Sequence, residues 1–170
     1  MVLVPGLKKG AFIVGAKFGR GFISCRNAGG AGWSAPGAVR VEGGSVGFQI
    51  GGSETDVIML VMNERGVERL LRSKFTLGGD ASVAAGPVGR DASAQTDAMM
   101  TAEILTWSRS RGVFAGVSLQ GVTLRSDKAA NQDLYQQPAW GILQIVQSGL
   151  DAPPAAEAVL KLLNKYSSRK

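Results

Sequence analysis

The chain has 170 residues, of which 45% are hydrophobic, 19% are charged and 24 are glycine. This length suits a single domain, and the apolar fraction excludes a disordered chain. The apolar runs are too short for a membrane-spanning helix, which needs about 20 residues. No secretory signal peptide is expected, because the N-terminus lacks a basic segment followed by a long apolar one.

Histidine is absent from the sequence, and Cys25 is its only cysteine. The chain therefore lacks the commonest general base and metal ligand, and it can form neither a Ser-His or Cys-His nucleophile pair nor a Cys-based zinc site. We expect Cys25 to be a small, half-buried apolar side chain. We expect no catalytic residues, no metal site and no cofactor.

The net charge of +6 comes from the first quarter of the chain. Residues 1–41 contain six basic and no acidic side chains, whereas residues 42–170 contain 13 of each kind. This asymmetry favours an anionic partner such as a lipid headgroup, a nucleic acid or an acidic protein surface. The alternative is a solvated basic face that only keeps the protein in solution.

Short alternating segments separated by glycine predict antiparallel strands in the N-terminal part of the chain. Residues 10–26 predict two strands around a glycine turn. Residues 38–42 and 46–50 predict two more strands, one on either side of an interrupting Gly-Gly pair. The unbroken apolar run at 56–62 predicts a central strand that is buried on both faces.

A helix and a strand of small residues are predicted next along the chain. Asn63 is a favourable N-cap, and residues 64–73 have the apolar spacing of a short helix. Residues 81–86 predict a strand that is mostly buried and structural, because its small side chains allow a large one to approach closely. Small residues also suit a cavity for an acyl chain, which is the alternative. The candidates for the large side chain are Trp33, Phe48 and Trp107.

The rest of the chain predicts a hairpin followed by helices. Residues 100–109 and 113–119 alternate apolar and polar side chains on either side of a turn, as paired strands do. Helical spacing then begins after residue 127. The three helices are expected at 128–136, 139–148 and 155–166.

We therefore expect residues 1–170 to form one α+β, β-rich domain. Its Gly-rich antiparallel sheet, at about 4–125, is predicted to be barrel-like or strongly curved, because long hairpins with glycine at their bends allow curvature. A few short peripheral helices and a helical C-terminal part, at about 127–167, complete the predicted fold.

Two glycine motifs resemble enzyme or nucleotide sites but lack the required context. Residues 43–47 match the G-x-S-x-G nucleophile elbow, yet a strand follows them and the chain has no histidine. Gly15, Gly19 and Gly21 follow a predicted strand, but their spacing fits neither the dinucleotide fingerprint nor the P-loop. We interpret these three glycines as a hairpin bend.

Four acidic residues are candidate ligands of a hard cation: Asp80, Asp91, Asp97 and Glu103. Their spacing is not that of an EF-hand, and turn or capping hydrogen bonds are the simpler interpretation of Asp80 and Asp91. The phenylalanines that alternate with the N-terminal cations, among them Phe18, are expected in the core. A nucleic-acid platform is therefore the less favoured interpretation.

The order of several segments resembles the SYLF domain family. The first segment, residues 4–21, opens with Val-Pro-Gly-Leu-Lys-Lys-Gly, and the last, residues 107–121, opens with Trp-Ser-Arg-Ser-Arg-Gly. The segments between them are 32–36, 43–52, 55–62 and 75–90. The resemblance covers residues 2 to about 135. The residues at 73–80 and 92–98 are similar to those of the bacterial, stand-alone branch of the family.

The resemblance implies a non-catalytic domain that binds membrane lipids, which are phosphoinositides in eukaryotic members. Actin filaments are a second partner in the fungal members. Peripheral membrane association is thus expected, extracytoplasmic for an exported bacterial protein and cytoplasmic for a eukaryotic one. The family domain usually begins with a helical segment before the Val-Pro motif, and we expect this chain to lack that segment.

We predict that the acid-free segment matching the family contains the binding site. The main hypothesis is that its cations bind an anionic membrane lipid. The alternative is a protein-interaction module that binds actin filaments or another acidic protein through the same surface or an exposed sheet edge. The same cations also suit solvated hairpin positions without a ligand. The candidate lipid-binding residues are Lys8, Lys9, Lys17, Arg20 and Arg26.

Overall fold

The protein is described by a computed structural model. It describes residues 1–12, 14–27, 29, 31–46, 51–72, 74–88, 101–110, 113–116, 119–136 and 140–167. The strands are β1 Val2–Phe12, β2 Val14–Ile23, β3 Gly37–Val46, β4 Gly51–Val61, β5 Lys74–Thr76, β6 Val83–Ala85, β7 Ile104–Ser110, β8 Val113–Gly116 and β9 Thr123–Ser126. The helices are α1 Glu64–Leu70, α2 Lys128–Tyr135, α3 Ile142–Gln147 and α4 Pro154–Ser167.

The nine described strands form one curled sheet with the shape of a half-barrel. Their order is β5-β9-β3-β2-β1-β4-β7-β6, and β8 also pairs with β7. Neighbouring strands are antiparallel except β6 and β7, which are parallel. The predicted β-rich fold, with a strongly curved sheet, short helices and a helical C-terminal part, is confirmed. No helix among the described residues is long and apolar enough to cross a membrane.

One face of the sheet forms the core, because side chains alternate between the two faces along each strand. β4 is central, as predicted, since it lies between β1 and β7. The prediction that β4 is buried on both faces is wrong, because Val57 and Met59 are buried whereas Ile58 and Leu60 are only half-buried. Other fully buried side chains on the core face include Val4, Ile23, Val39, Val41 and Phe75.

The N-terminal strands are longer than the sequence predicts. β1 and β2 form a hairpin of 11 and 10 residues, and β3 continues through its Gly-Gly pair without interruption. Gly19 and Gly21 therefore lie inside β2, not at a bend. The irregular part of β1 passes close to them: a Cβ on Gly21 would lie 2.2 Å from the carbonyl oxygen of Leu3. Residues 47–50 of the strand predicted at 46–50 lie outside the described residues.

The small-residue segment 81–86 contains β6, which pairs with the N-terminal half of β7. Ala81 and Gly86 are buried, but the residues between them are half-buried or exposed. The prediction that this segment is mostly buried is wrong, because β6 lies at the end of the strand order with β7 as its paired neighbour.

The close approach of a large side chain to this segment is confirmed, and the side chain is that of Trp107. The indole lies against Gly86, where an added Cβ would be 1.9 Å from the ring atom Cε2. The indole Nε1 donates a hydrogen bond to the carbonyl oxygen of Pro87 at 3.0 Å. Only glycine at position 86 leaves room for this packing.

The helices lie close to their predicted positions. Asn63 caps α1 as expected, since its Oδ1 accepts a hydrogen bond from the backbone N–H of Gly66 at 2.8 Å. α1 ends at Leu70, three residues before the predicted bound. α2 and α4 each begin and end within one residue of the prediction, and α3 lies inside the segment predicted for it.

We expect Gly86→Ala to lower the free energy of unfolding by about 1 to 3 kcal/mol, because the added methyl group overlaps the Trp107 ring. Gly44→Ala is the matched control, since a Cβ at this strand position meets no atom within 4 Å. Urea unfolding of both variants provides the measurement. Equal loss of stability in the two variants would contradict the close packing of Trp107.

Candidate functional site

Three of the five predicted binding residues lie together near the end of the β1–β2 hairpin. Lys9 is the direct cross-strand partner of Lys17, and Lys8 is the partner of Phe18. The two pairs are on opposite faces of the hairpin, because neighbouring residues alternate. Phe18 is 52% exposed, so the prediction that it belongs to the core is wrong. It lies on the face that points away from the core.

The Lys9–Lys17 pair places two like charges side by side. Both residues are half-buried. Burial lowers the pKa of Lys17, and the positive charge of Lys9 lowers this pKa further. Opposed like charges on neighbouring strands are destabilising. An anion bound beside the two ammonium groups would relieve both the repulsion and the loss of solvation.

The other two predicted residues, Arg20 and Arg26, have partners within the fold. Arg20 Nε lies 3.3 Å from Oδ2 of the buried Asp127, in an orientation that gives no hydrogen bond. Arg26 lies over the ring of Trp33, 4.9 Å from its centroid, and donates a hydrogen bond to the backbone oxygen of Ser167. The Trp33 Nε1 donates to Ser167 Oγ at 3.2 Å. Arg26 thus ties the end of α4 to the segment after β2.

A row of four cations, here called the cation row, crosses the sheet on the face away from the core. Arg20 of β2 pairs with Arg40 of β3, Arg40 with Arg125 of β9, and Arg125 with Lys74 of β5. Arg40 lies between the buried Val39 and Val41, Arg125 follows the buried Leu124, and Lys74 precedes the buried Phe75, which places the row on the opposite face. Sequence reasoning missed the row, because only the order of the strands brings its last two members beside the first two.

Two acidic residues partly neutralise the cation row. Asp127 lies beside Arg20, and Oε2 of Glu42 lies 3.7 Å from Nε of Arg125. Four cations and two carboxylates leave a charge of +2. Arg40 is half-buried near the middle of the row, and its buried Nε has no hydrogen-bond partner among the described residues. Arg40 therefore keeps a buried donor without an acceptor, and its charge has no carboxylate partner among the described residues.

An open groove of about 470 Å³ adjoins the cation row. Three cations and one carboxylate, that of Glu42, line it. Two of the cations, Lys74 and Arg125, belong to the row, and the third is Lys17. Glycines at 43, 44 and 121 also line the groove and leave its backbone accessible. The volume is in the range of a small-ligand site, and the charge suits an anionic group.

The cation-site interpretation of the acidic residues gains no support. The described residues hold no group of three or more side chains that would bind a metal ion. Asp80 closes a turn, as predicted, because its Oδ2 accepts from the backbone N–H of Thr76 at 2.6 Å. Glu103 forms an ion pair with Arg69 at 3.1 Å. Two further candidates lie outside the described residues: Asp91 and Asp97.

The lone thiol is in the environment that the sequence predicts. Cys25 is half-buried, and burial raises the pKa of its thiol. A raised pKa keeps the thiol protonated at neutral pH, which makes it a poor nucleophile. Its role is packing, since it lies against the core.

We expect Lys9→Gln to raise the pKa of Lys17 and to stabilise the fold by about 0.2 to 1 kcal/mol at neutral pH. Because the pKa of Lys17 is lower in the folded state than in the unfolded state, its charge opposes folding at any pH below the folded-state pKa. This penalty disappears as the pH rises from the folded-state pKa to the unfolded-state pKa. An NMR titration of the lysine side chains, with Lys8→Gln on the opposite face as the control, measures the shift. An unchanged Lys17 pKa in Lys9→Gln would contradict the pairing.

The sequence is similar to a set of eukaryotic proteins. A family model described as "Ysc84: Las17-binding protein actin regulator" matches residues 42–166. SH3 domain-containing YSC84-like protein 1 of Xenopus laevis is 33% identical over 162 residues, which are 95% of this chain and 48% of that protein. The human protein of the same name is 33% identical over 162 residues, which are 95% of this chain and 47% of the human protein. Protein YSC84 of Saccharomyces cerevisiae is 32% identical over 166 residues, with 96% and 35% covered.

The matches extend over nearly the whole chain, whereas the chain spans less than half the length of these three relatives. No solved structure matches it. The resemblance read from the ordered motifs is confirmed by both the family model and the relatives, while similarity to the bacterial branch stays a prediction. The chain belongs to the Ysc84 family, whose shared domain is the SYLF domain.

Proposed function

We propose that this chain is a non-catalytic protein-interaction domain that binds an acidic partner, with actin filaments as the first partner to test. The observation that supports the proposal is the cation row, which crosses four strands on the face away from the core. The family description names an actin regulator. A basic surface of this kind complements an acidic filament, which favours encounter and register.

The charge arrangement of the row favours binding over a purely structural role. Like charges at directly opposed strand positions are destabilising, so folding alone gives no reason to place Arg40 between two other cations. Features that oppose folding locally are typical of functional surfaces. The β-strands also hold the four positions at fixed spacing, so the partner meets a surface that needs little reordering.

Reversing two charges of the row tests the proposal. We expect Lys74→Glu/Arg125→Glu to weaken co-sedimentation with actin filaments by about tenfold, because it replaces attraction with repulsion. Raising the salt concentration is expected to weaken binding of the unaltered protein, since exposed charges are screened. Lys161→Glu/Lys165→Glu, which makes the same charge change on α4, is the control. Equal pelleting of the two double variants would refute the proposal.

A second candidate function is the binding of anionic membrane lipid through the end of the β1–β2 hairpin. Lys8, Lys9 and Lys17 lie there together, and the exposed ring of Phe18 lies beside Lys8. Cations next to an exposed aromatic ring are typical of surfaces that contact lipid headgroups, and such cations contribute about 1 kcal/mol each near an anionic membrane. The two arginines of the predicted set are less available, since each already has a partner in the fold.

Vesicle sedimentation separates the two candidates. We expect Lys8→Glu/Lys17→Glu to abolish pelleting with phosphatidylserine-containing vesicles, because it removes attraction at the hairpin end. The same variant is expected to keep its filament binding, whereas Lys74→Glu/Arg125→Glu is expected to keep its vesicle binding. Pelleting of the unaltered protein to the same extent with neutral and anionic vesicles would contradict lipid binding through these lysines.

A further inference from the structure

We infer that the cation row docks an acidic α-helical segment of a protein partner, which lies across the strands. This inference rests on the proposed protein-interaction function and names the chemistry and secondary structure of the partner. It depends on three features of the described residues: the spacing of the row, the charge of Arg40, which has no ion-pair partner among them, and the groove that runs beside the row.

The spacing of the row matches a helix better than an extended peptide. Neighbouring strands are about 4.8 Å apart, so the four cations span about 14 Å. Residues i and i+3 of a helix rise about 4.5 Å along the axis and share a face, and about three turns cover the row. Same-face residues of an extended peptide are about 6.7 Å apart, so its carboxylates fall out of step with the cations.

Arg40 is the expected anchor of the interface. Its two neighbours in the row each lie near a carboxylate of this chain, Asp127 for Arg20 and Glu42 for Arg125. The Arg40 Nε is buried and has no hydrogen-bond partner among the described residues. The buried Nε is out of reach of a partner, so a partner carboxylate would pair with the terminal nitrogens of Arg40, which has no ion-pair partner among the described residues.

The groove widens the docking surface alongside the row, because the same four strands line it. Gly44 and Gly121 leave room for a close approach, since a Cβ at either position meets no atom within 4 Å, and the exposed ring of Phe18 lines the same groove. Phe18 lies two residues from Arg20 on the same face of β2, so a helix on the row places an apolar side chain on Phe18 at its Arg20 end, whereas Lys17 belongs to the opposite face. The partner segment is thus expected to be acidic along one face, with an apolar residue near one end.

The test uses lactam-stapled helical peptides of about 20 residues, long enough for a stable helix. One peptide has glutamates at i, i+3, i+7 and i+10, and a second has the same composition with the glutamates spread around the helix. We expect the patterned peptide to bind about tenfold more tightly than the second peptide, because only the patterned one places all its carboxylates opposite the cations. Fluorescence anisotropy measures both affinities. NMR should place the largest shift on the Nε–H of Arg40.

Variants and a third peptide make the inference falsifiable. Lys74→Gln, a change at an exposed position, should weaken the patterned peptide, and Lys161→Gln should not. The helical inference would be overturned if the two helical peptides bound with equal affinity. It would also be overturned if an extended acidic peptide with interrupting prolines bound as tightly as the patterned helix. If filament binding still depends on the row in that case, the proposed function stands while this inference fails.

Discussion

The uninterrupted pairing of β2 with β3 sets the faces on which the first two members of the cation row lie. The two strands pair from Val14–Val46 to Ile23–Gly37 without a bulge. A slip of β3 by one residue would move the side chain of Arg40 into the core, because the side-chain repeat of a strand is two residues. Burying unpaired guanidinium groups would cost several kcal/mol per charge, so the apolar face of β3 fixes both the register and the outward direction of its cation.

The C-terminal helices are attached to this framework by polar contacts of buried residues. The side chain of Asn131 in α2 accepts from the backbone N–H of Ala38 at 2.6 Å and donates to the Ala38 carbonyl at 3.4 Å. Asp127 caps α2 through Oδ1, which accepts from Ala130 N–H at 3.3 Å, and its Oδ2 faces Arg20. Arg20, at one end of the cation row, thus helps to hold α2 on the sheet through Asp127. Among the described residues, Lys74, at the other end, has no contact of this kind with α2.

The sequence predicts the helices and strands of this protein better than it predicts which of them lie side by side. Alternation and capping place β4, β7 and the helices, because these signals are local. They do not bring Lys74 and Arg125 beside Arg40, since strand order depends on contacts between distant segments. For the same reason, Arg26 was expected on a ligand surface, although Trp33 and the distant Ser167 engage it. The sequence predicts a bend at Gly19 and Gly21, because their close contact with β1 has no local signal.

The like charges that lie side by side make salt act in opposite directions on folding and on binding. In the cation row the strand spacing of about 4.8 Å is shorter than the screening length of about 8 Å at physiological ionic strength, so the cations repel one another there. Added salt weakens this repulsion and favours the folded state, but it also weakens attraction to an acidic partner. If the row binds the proposed acidic partner, the domain is most stable in the solutions where that binding is weakest, and the partner's carboxylates replace salt as stabilising counterions.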